Sequence, residues 1–220
     1  SLLLGPTNLI RLQQAPLLPE WGKNRPFAIP SADASDPGPH PDYDETPGSA
    51  FHTAALEVHD IGAALTDDQK LIARFWSDDP MLSPTPPGHW VSLVLQIADQ
   101  KQLSITDTVD VLARLGVALA DAFIGCWNAK FEYGLVRPVT YIRRVIDPKW
   151  ESLLITPPFP EYPSGHSTQS GAAAEVLTAL FGENFAFTDT AHEDEGMPGR
   201  PFPSFAAAAA ASTISGTASW

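Results

Sequence analysis

Positive charge is scarce in this 220-residue sequence: 13 Lys and Arg stand against 26 Asp and Glu, for a net charge of -13. A chain this acidic is a poor partner for nucleic acid or an anionic membrane, both of which require a basic face. Cysteine is nearly absent as well. The single Cys126 excludes an internal disulfide, and its place in the apolar stretch "DAFIGCW" points to a buried structural thiol. Long hydrophobic runs are missing, since residues 91–98 and 115–120 are too short or too interrupted to span a bilayer. The opening "SLLLGP" has neither the positive start nor the long apolar region of a signal peptide. The expectation is a soluble chain, compatible with a secreted or periplasmic location once a leader has been removed.

Strand signals are few, and helical periodicity dominates. Residues 1–48 are rich in proline and glycine and read as an extended segment, pinned to a larger body by Trp21, Phe27, Ile29 and Tyr43. Residues 49–220 read as one helical domain. Phe51, Ala55, Val58 and Ile61 share one helical face. Thr66 with Gln69 forms a capping box. Trp90, Leu93, Val94 and Ile97 line a stripe within 88–101, a long helix is expected over 106–130, and another follows "PSGH" to Phe181 with Gly182 as its stop. The alanines at 206–211 favour a last helix over 203–215. The fold class is all-α, a helical bundle with Pro-rich connecting loops.

The few basic residues cluster. Lys130, Arg137, Arg143, Arg144 and Lys149 make five of the 13 within one short stretch. Such an island in an acidic chain suits a small anion, although a solvated charged face gives the same pattern. Within it, "WNAKFEYGLVRP" sets Lys130 and Arg137 seven apart. Gly134 and Pro138 end the helix early and let Arg137 turn inward. Arg offers a planar fork of donors to an oxyanion, and Lys a movable point charge. Farther on, "PSGH" opens a helix. Gly165 lets an anion approach the backbone, the amides of the helix start favour negative charge, Ser164 adds a hydroxyl, and His166 can move a proton near neutral pH. Each signal alone has a plain structural explanation, such as a helix cap or a core histidine.

Taken together, "KFEYGLVRP" and "PSGH" resemble the first two parts of the signature K-x6-R-P, P-S-G-H, S-R-x5-H. Vanadium-dependent haloperoxidases and the type 2 phosphatidic acid phosphatase superfamily share that signature. "ARFWSDDP", "PTPPGHW", "RPVTYI" and "TPPFPEYPSGH" resemble the soluble bacterial haloperoxidases, and "PPFPEYPSGH" also resembles the fungal chloroperoxidases. The resemblance implies a helical-bundle fold that binds vanadate, with phosphate able to occupy the same site. It implies that Lys130, Arg137, Ser164 and the Gly165 amide hold the equatorial oxygens, with His166 as the acid–base group. In a haloperoxidase, Lys130 polarises bound peroxide, His166 helps deprotonate it, and halide leaves as hypohalous acid for a small organic acceptor. In a soluble acid phosphatase, His166 protonates the leaving alcohol of a phosphomonoester. Trp127 and Phe159 sit at offsets resembling the aromatic pair beside the halide in the fungal enzymes, which favours halogenation. Relatives are often dimers or larger, so a homo-oligomer is compatible.

The remaining histidines carry weaker signals. His89 reads as structural, His52 and His59 as a helical pair lacking a third ligand, and His40 and His192 as polar-loop residues. Arg200 reads as upstream of the third motif. That motif itself is missing: Gly216 follows Ser215 where the signature needs Arg, and its histidine, the vanadium ligand, is not found. A shortened chain, or misassigned residues at its C-terminal end, is the expected explanation. A histidine from a second chain, or an inactive anion-binding relative, are the alternatives.

Overall fold

The computed structural model describes residues 15–78 and 85–218, with side chains described as far as Thr213. Seven helices dominate these residues: α1 (Ala50–Ala64), α2 (Asp67–Phe75), α3 (Pro86–Lys101), α4 (Ile105–Tyr133), α5 (Pro138–Val145), α6 (Gly165–Phe181) and α7 (Phe205–Ala218). Two short strands, β1 (Phe187–Asp189) and β2 (Arg200–Phe202), pair antiparallel with Phe187 opposite Phe202. The all-α architecture agrees with the sequence; the hairpin is an addition that period-2 alternation over three residues is too short to reveal. Among the described residues, no helix is long and apolar enough to cross a membrane.

Local chemistry sets the helix ends. Thr66 and Gln69 close the expected capping box of α2. Ser104 accepts from the Asp107 amide at the start of α4. Gly134, at φ 60°, ends α4 in the left-handed conformation that glycine adopts without steric cost. α4 therefore stops at Tyr133, and the chain re-enters a helix with Arg137 as the N-cap of α5.

Two cores flank that break. The larger is built from Phe75, Trp76, Trp90, Leu93, Val94, Ile97, Leu115, Leu177, Phe187 and Phe205, uniting α2, α3, α4, α6, α7 and the hairpin. The smaller joins Ala55 and Val58 of α1 to Tyr141 and Ile142 of α5, with Val136 and Trp150. One expectation fails here: Ile61 is exposed, because α1 buries only Ala55 and Val58 against α5. Cys126 is free and buried, as expected, and burial raises its thiol pKa.

Between residues 15 and 48 the chain is mostly irregular and is held by α4. Gly22 lies so close to α4 that a Cβ there would sit 2.4 Å from the Asn128 amide nitrogen, so only glycine fits. The Asp121 carboxylate accepts from the amides of Phe27, Ala28 and Ile29, at 2.7, 2.7 and 3.0 Å. Burial raises the carboxyl's pKa, but these backbone bonds outweigh it and hold it below its ordinary value. Asp121→Ala removes a charged acceptor from three donors, so urea unfolding is expected to show a loss of about 2–3 kcal/mol. An unchanged midpoint would mean that the segment contributes nothing to stability.

Candidate oxyanion site

The break between α4 and α5 brings Lys130 and Arg137 to one place. Lys130 is 1% and Arg137 5% exposed, both far from the solvated face that a charge cluster usually forms. A single aromatic ring fixes their proximity: the Lys130 Nζ lies 5.0 Å and the Arg137 Cζ 5.5 Å from the centroid of Phe159. Trp127 packs on Phe159 at 5.0 Å and is itself 5.7 Å from the Lys130 Nζ. The aromatic pair singled out by its offsets thus packs against the two buried cations. Trp127 is stacked on Phe123 at 3.8 Å and donates from Nε1 to the Leu17 carbonyl, which locks its orientation.

Lys130 donates from Nζ to the carbonyls of Pro160 and Glu161, each at 2.9 Å, using two of the ammonium's three hydrogens. Burial lowers its pKa to about 8, and the nearby Arg137 charge also lowers it. An anion that binds the ammonium therefore binds less well as pH rises through that value. Sulfate, which does not titrate in this range, is expected to bind about tenfold more weakly at pH 9.5 than at pH 7. In Lys130→Gln the binding should be weak and flat with pH. A flat profile for the unaltered protein would remove Lys130 from the site.

Arg137 Nη1 lies 2.6 Å from Glu161 Oε2, a buried ion pair. The approach is off the hydrogen-bonding direction, and Arg137 Nε is buried without any acceptor. Glu161 stood in view within "EYPSGH", but nothing in its spacing distinguished it as a member of this site. It is 5% exposed and touches both cations, through its carbonyl to Lys130 and its carboxylate to Arg137.

The start of α6 packs against the same aromatic pair, through Gly165 on Trp127. Ser164 is its N-cap, accepting from the Ser167 amide at 3.2 Å and the Ser167 hydroxyl at 3.0 Å. The helix-cap role is therefore real, and the Ser164 O–H hydrogen remains available to donate. The amides of Gly165 and His166, in the first turn, have no helical carbonyl to bond. Gly165 backs onto Trp127, whose Cζ3 would lie 3.5 Å from an added Cβ. His166 is hydrogen-bonded to the Trp76 backbone, and its Nε2 is buried with no partner. Burial pushes its pKa below the ordinary imidazole value, so the ring is neutral at pH 7.

Buried polar atoms are nearly always satisfied. Arg137 Nε and His166 Nε2 are both left without a partner, as are Trp76 Nε1, Glu161 Oε2 and Gln169 Oε1, so polar capacity here is unspent. A tetrahedral oxyanion such as vanadate or phosphate suits Arg137 and Lys130 as donors, while the bare Nε2 of the neutral His166 ring would accept from a protonated oxygen of the same anion.

Other sequence readings divide. His89 is buried and bonded on both sides, by Asp78 at 2.9 Å and Asp189 at 2.8 Å. His192 is not a polar-loop residue: it is 1% exposed, with Nε2 3.1 Å from Asp78 Oδ1. Its flanking acidic residues hid the fact that the hairpin turns it inward. His40 does lie in a loop, against Tyr133 and Tyr162. His59 pairs with Asp60 and Asp147, and no three-ligand cluster involves it or His52 among the described residues. Arg200 pairs with Asp68 at 3.2 Å.

The far end of the chain also admits a second register of the missing motif. With Ser212 as its serine, Thr213 takes the arginine position and Ser219 the histidine position. Ser212 is 0% exposed on α7; Ser219 lies outside the described residues. Neither register has arginine at its second position, and this one has serine where the signature has histidine.

Comparison with known proteins bears on the family and the fold. The family model for the VCPO second helical-bundle domain matches residues 110–218. The vanadium chloroperoxidase of Curvularia inaequalis is 30% identical over 132 residues, covering 49% of this chain and 22% of that protein. The crystal structure of the first bacterial vanadium-dependent iodoperoxidase superposes with a TM-score of 0.87 at 40% identity, over 93% of this chain and 52% of that one. An apo-type bacterial vanadium-dependent chloroperoxidase shares the fold at TM-score 0.74 and 20% identity, over 94% of this chain and 51% of that one. The chain spans about half the length of these solved relatives.

Proposed function

We propose that the chain is a relative of the vanadium haloperoxidases, which it resembles in sequence and fold, that its cradle holds vanadate and that the protein oxidises halide with hydrogen peroxide. The product is hypohalous acid, passed to a small organic acceptor. The observation that carries this reading is the burial of Lys130 and Arg137 against one ring, Phe159, with Arg137 Nε left without a partner.

Vanadate, when bound, supplies a Lewis-acidic centre that takes up and activates peroxide. The chain's own groups do the rest. Arg137 and Lys130 bind the oxyanion charge, with Ser164 and the Gly165 amide as neutral donors. Glu161 partly balances the charge of the two cations. His166, neutral and anchored to the Trp76 backbone, presents Nε2 to accept a proton from incoming peroxide. Trp127 and Phe159 keep water from the halide and so raise its reactivity.

The lack of arginine at the second position of both registers of the last motif favours a second reading, an oxyanion-binding relative without turnover. One assay separates the readings. The protein is loaded with vanadate and given peroxide, bromide and a phenol dye, alongside nitrophenyl phosphate in vanadate-free buffer. Bromination without hydrolysis is expected. Binding without either reaction would establish the inactive relative, and hydrolysis alone would make the protein a phosphatase.

A further inference from the structure

We propose that Asp78, His89 and His192 form a binding site for a divalent transition cation of the zinc type, with its own ligands but bordering His166 of the oxyanion cradle. The three residues come from different segments. Asp78 follows α2, His89 lies in the first turn of α3, and His192 sits in the turn of the β1–β2 hairpin. One ligand atom of each lies within 4.8 Å of the others. Asp78 Oδ1 is 2.9 Å from His89 Nδ1 and 3.1 Å from His192 Nε2. Neighbouring N and O ligands of tetrahedral zinc, each about 2.0–2.2 Å from the ion, stand roughly 3.3 Å apart. An opening of a few tenths of an ångström would seat the ion.

The surroundings match what such a site needs. Metal-bound imidazoles almost always donate their other nitrogen to a carboxylate or carbonyl, which fixes tautomer and ring plane. Here both do: His89 Nε2 faces Asp189 Oδ2 at 2.8 Å, and His192 Nδ1 faces Glu195 Oε1 at 3.1 Å. The rings are held by packing as well. Trp76 stacks on His89 at 4.3 Å and 11°, and Phe75 lies 5.5 Å from His89 and 5.0 Å from His192. Two imidazoles and a carboxylate are a donor set that suits zinc, leaving one position for water or the second Asp78 oxygen.

Each imidazole has a carboxylate within hydrogen-bond distance of both nitrogens. The site is reached from the side of Glu195, whose side chain is 38% exposed while those of His192 and His89 are 1% and 0%. The competing arrangement, a metal-free chain of alternating acids and imidazoles, shares every distance but retains no ion.

The test uses the purified chain, stripped with chelator, mixed with zinc chloride or cobalt chloride, and desalted. Expected are one zinc retained per chain, a melting temperature raised by several degrees through selective binding to the folded state, and the visible absorption of four-coordinate cobalt. His192→Gln should lose all three signals. Glu195→Gln keeps every ligand and changes a partly exposed residue, so its folding is not at issue; it should bind zinc about tenfold more weakly. His59→Gln, altering a histidine on α1, should change nothing. No retained zinc in the unaltered protein, or equal affinity in the Glu195 and His192 variants, would overturn the proposal in favour of the metal-free chain.

Discussion

Replacing Arg137 by alanine is expected to cost about 3–5 kcal/mol of stability and to weaken oxyanion binding about 100-fold or more. Both effects have one cause. Arg137 is the counter-charge of Glu161, and both are 5% exposed. Without the guanidinium, Glu161 is a buried carboxylate with no paired cation at its oxygens. The double variant Arg137→Ala/Glu161→Ala removes the stranded charge together with its partner. It should unfold at a denaturant concentration above that of the single variant, while still failing to bind an oxyanion. Urea unfolding and phosphate titration on the parent, the two single variants and the double variant read the two effects separately. An Arg137→Ala protein as stable as the parent would show that the pair is not buried in solution. Retained binding in the double variant would take Arg137 out of the site.

His166→Ala is the second large change. Halide oxidation should fall about 10²–10⁴-fold, the usual contribution of a positioned acid–base group. Vanadate affinity should change by less than about tenfold, because Lys130, Arg137, Ser164 and the Gly165 amide still bind it. The pH profile gives a further signature. Burial keeps the folded-state pKa of His166 below the ordinary imidazole value. The ring therefore stays neutral, and able to accept a proton, until pH falls well under about 6.5. The acid limb of the unaltered enzyme should lie below that point, and it should be missing from the residual activity of the variant. Full activity in His166→Ala, or an acid limb unchanged by it, would contradict the acid–base role.

What could be read from the sequence follows the range of the interactions involved. Helix starts and stops are local, so Thr66 with Gln69, Gly134 and Gly182 declared themselves by type and spacing. The stripe of Trp90, Leu93, Val94 and Ile97 did so by period, and all four are buried. Lys130, Arg137 and the "PSGH" tetrad were legible because each motif is short and its chemistry specific. The structure brings Lys130, Arg137, Trp127 and Phe159 into one buried cluster. Glu161 and His192 were not legible, because what matters about them is long-range. Glu161 counts because the helix break at Gly134 lets Arg137 turn inward and meet it from a distant part of the chain. Its carbonyl reaches Lys130 by the same approach.

His192 was hidden in the same way. Its neighbours Glu193, Asp194 and Glu195 give it the composition of a solvated loop. Only the β1–β2 pairing, which sets Asp189 opposite Arg200, turns it toward Asp78 and His89. Ile61 failed in the opposite sense: the helical period was right, but α5 is too short to cover the last turns of α1, and the side chain stays exposed. The register Ser212–Thr213–Ser219 was within reach of the sequence, because the signature's spacing alone defines it.

The most direct measurement is calorimetric titration of dilute orthovanadate into the purified protein and into Arg137→Ala/Glu161→Ala, with phosphate as competitor. The expected result is one vanadate per chain, displaced by phosphate, and no detectable binding to the double variant. Absence of binding to the unaltered protein, or equal affinity in the two proteins, would contradict an oxyanion cradle built on Lys130, Arg137, Ser164, Gly165 and His166.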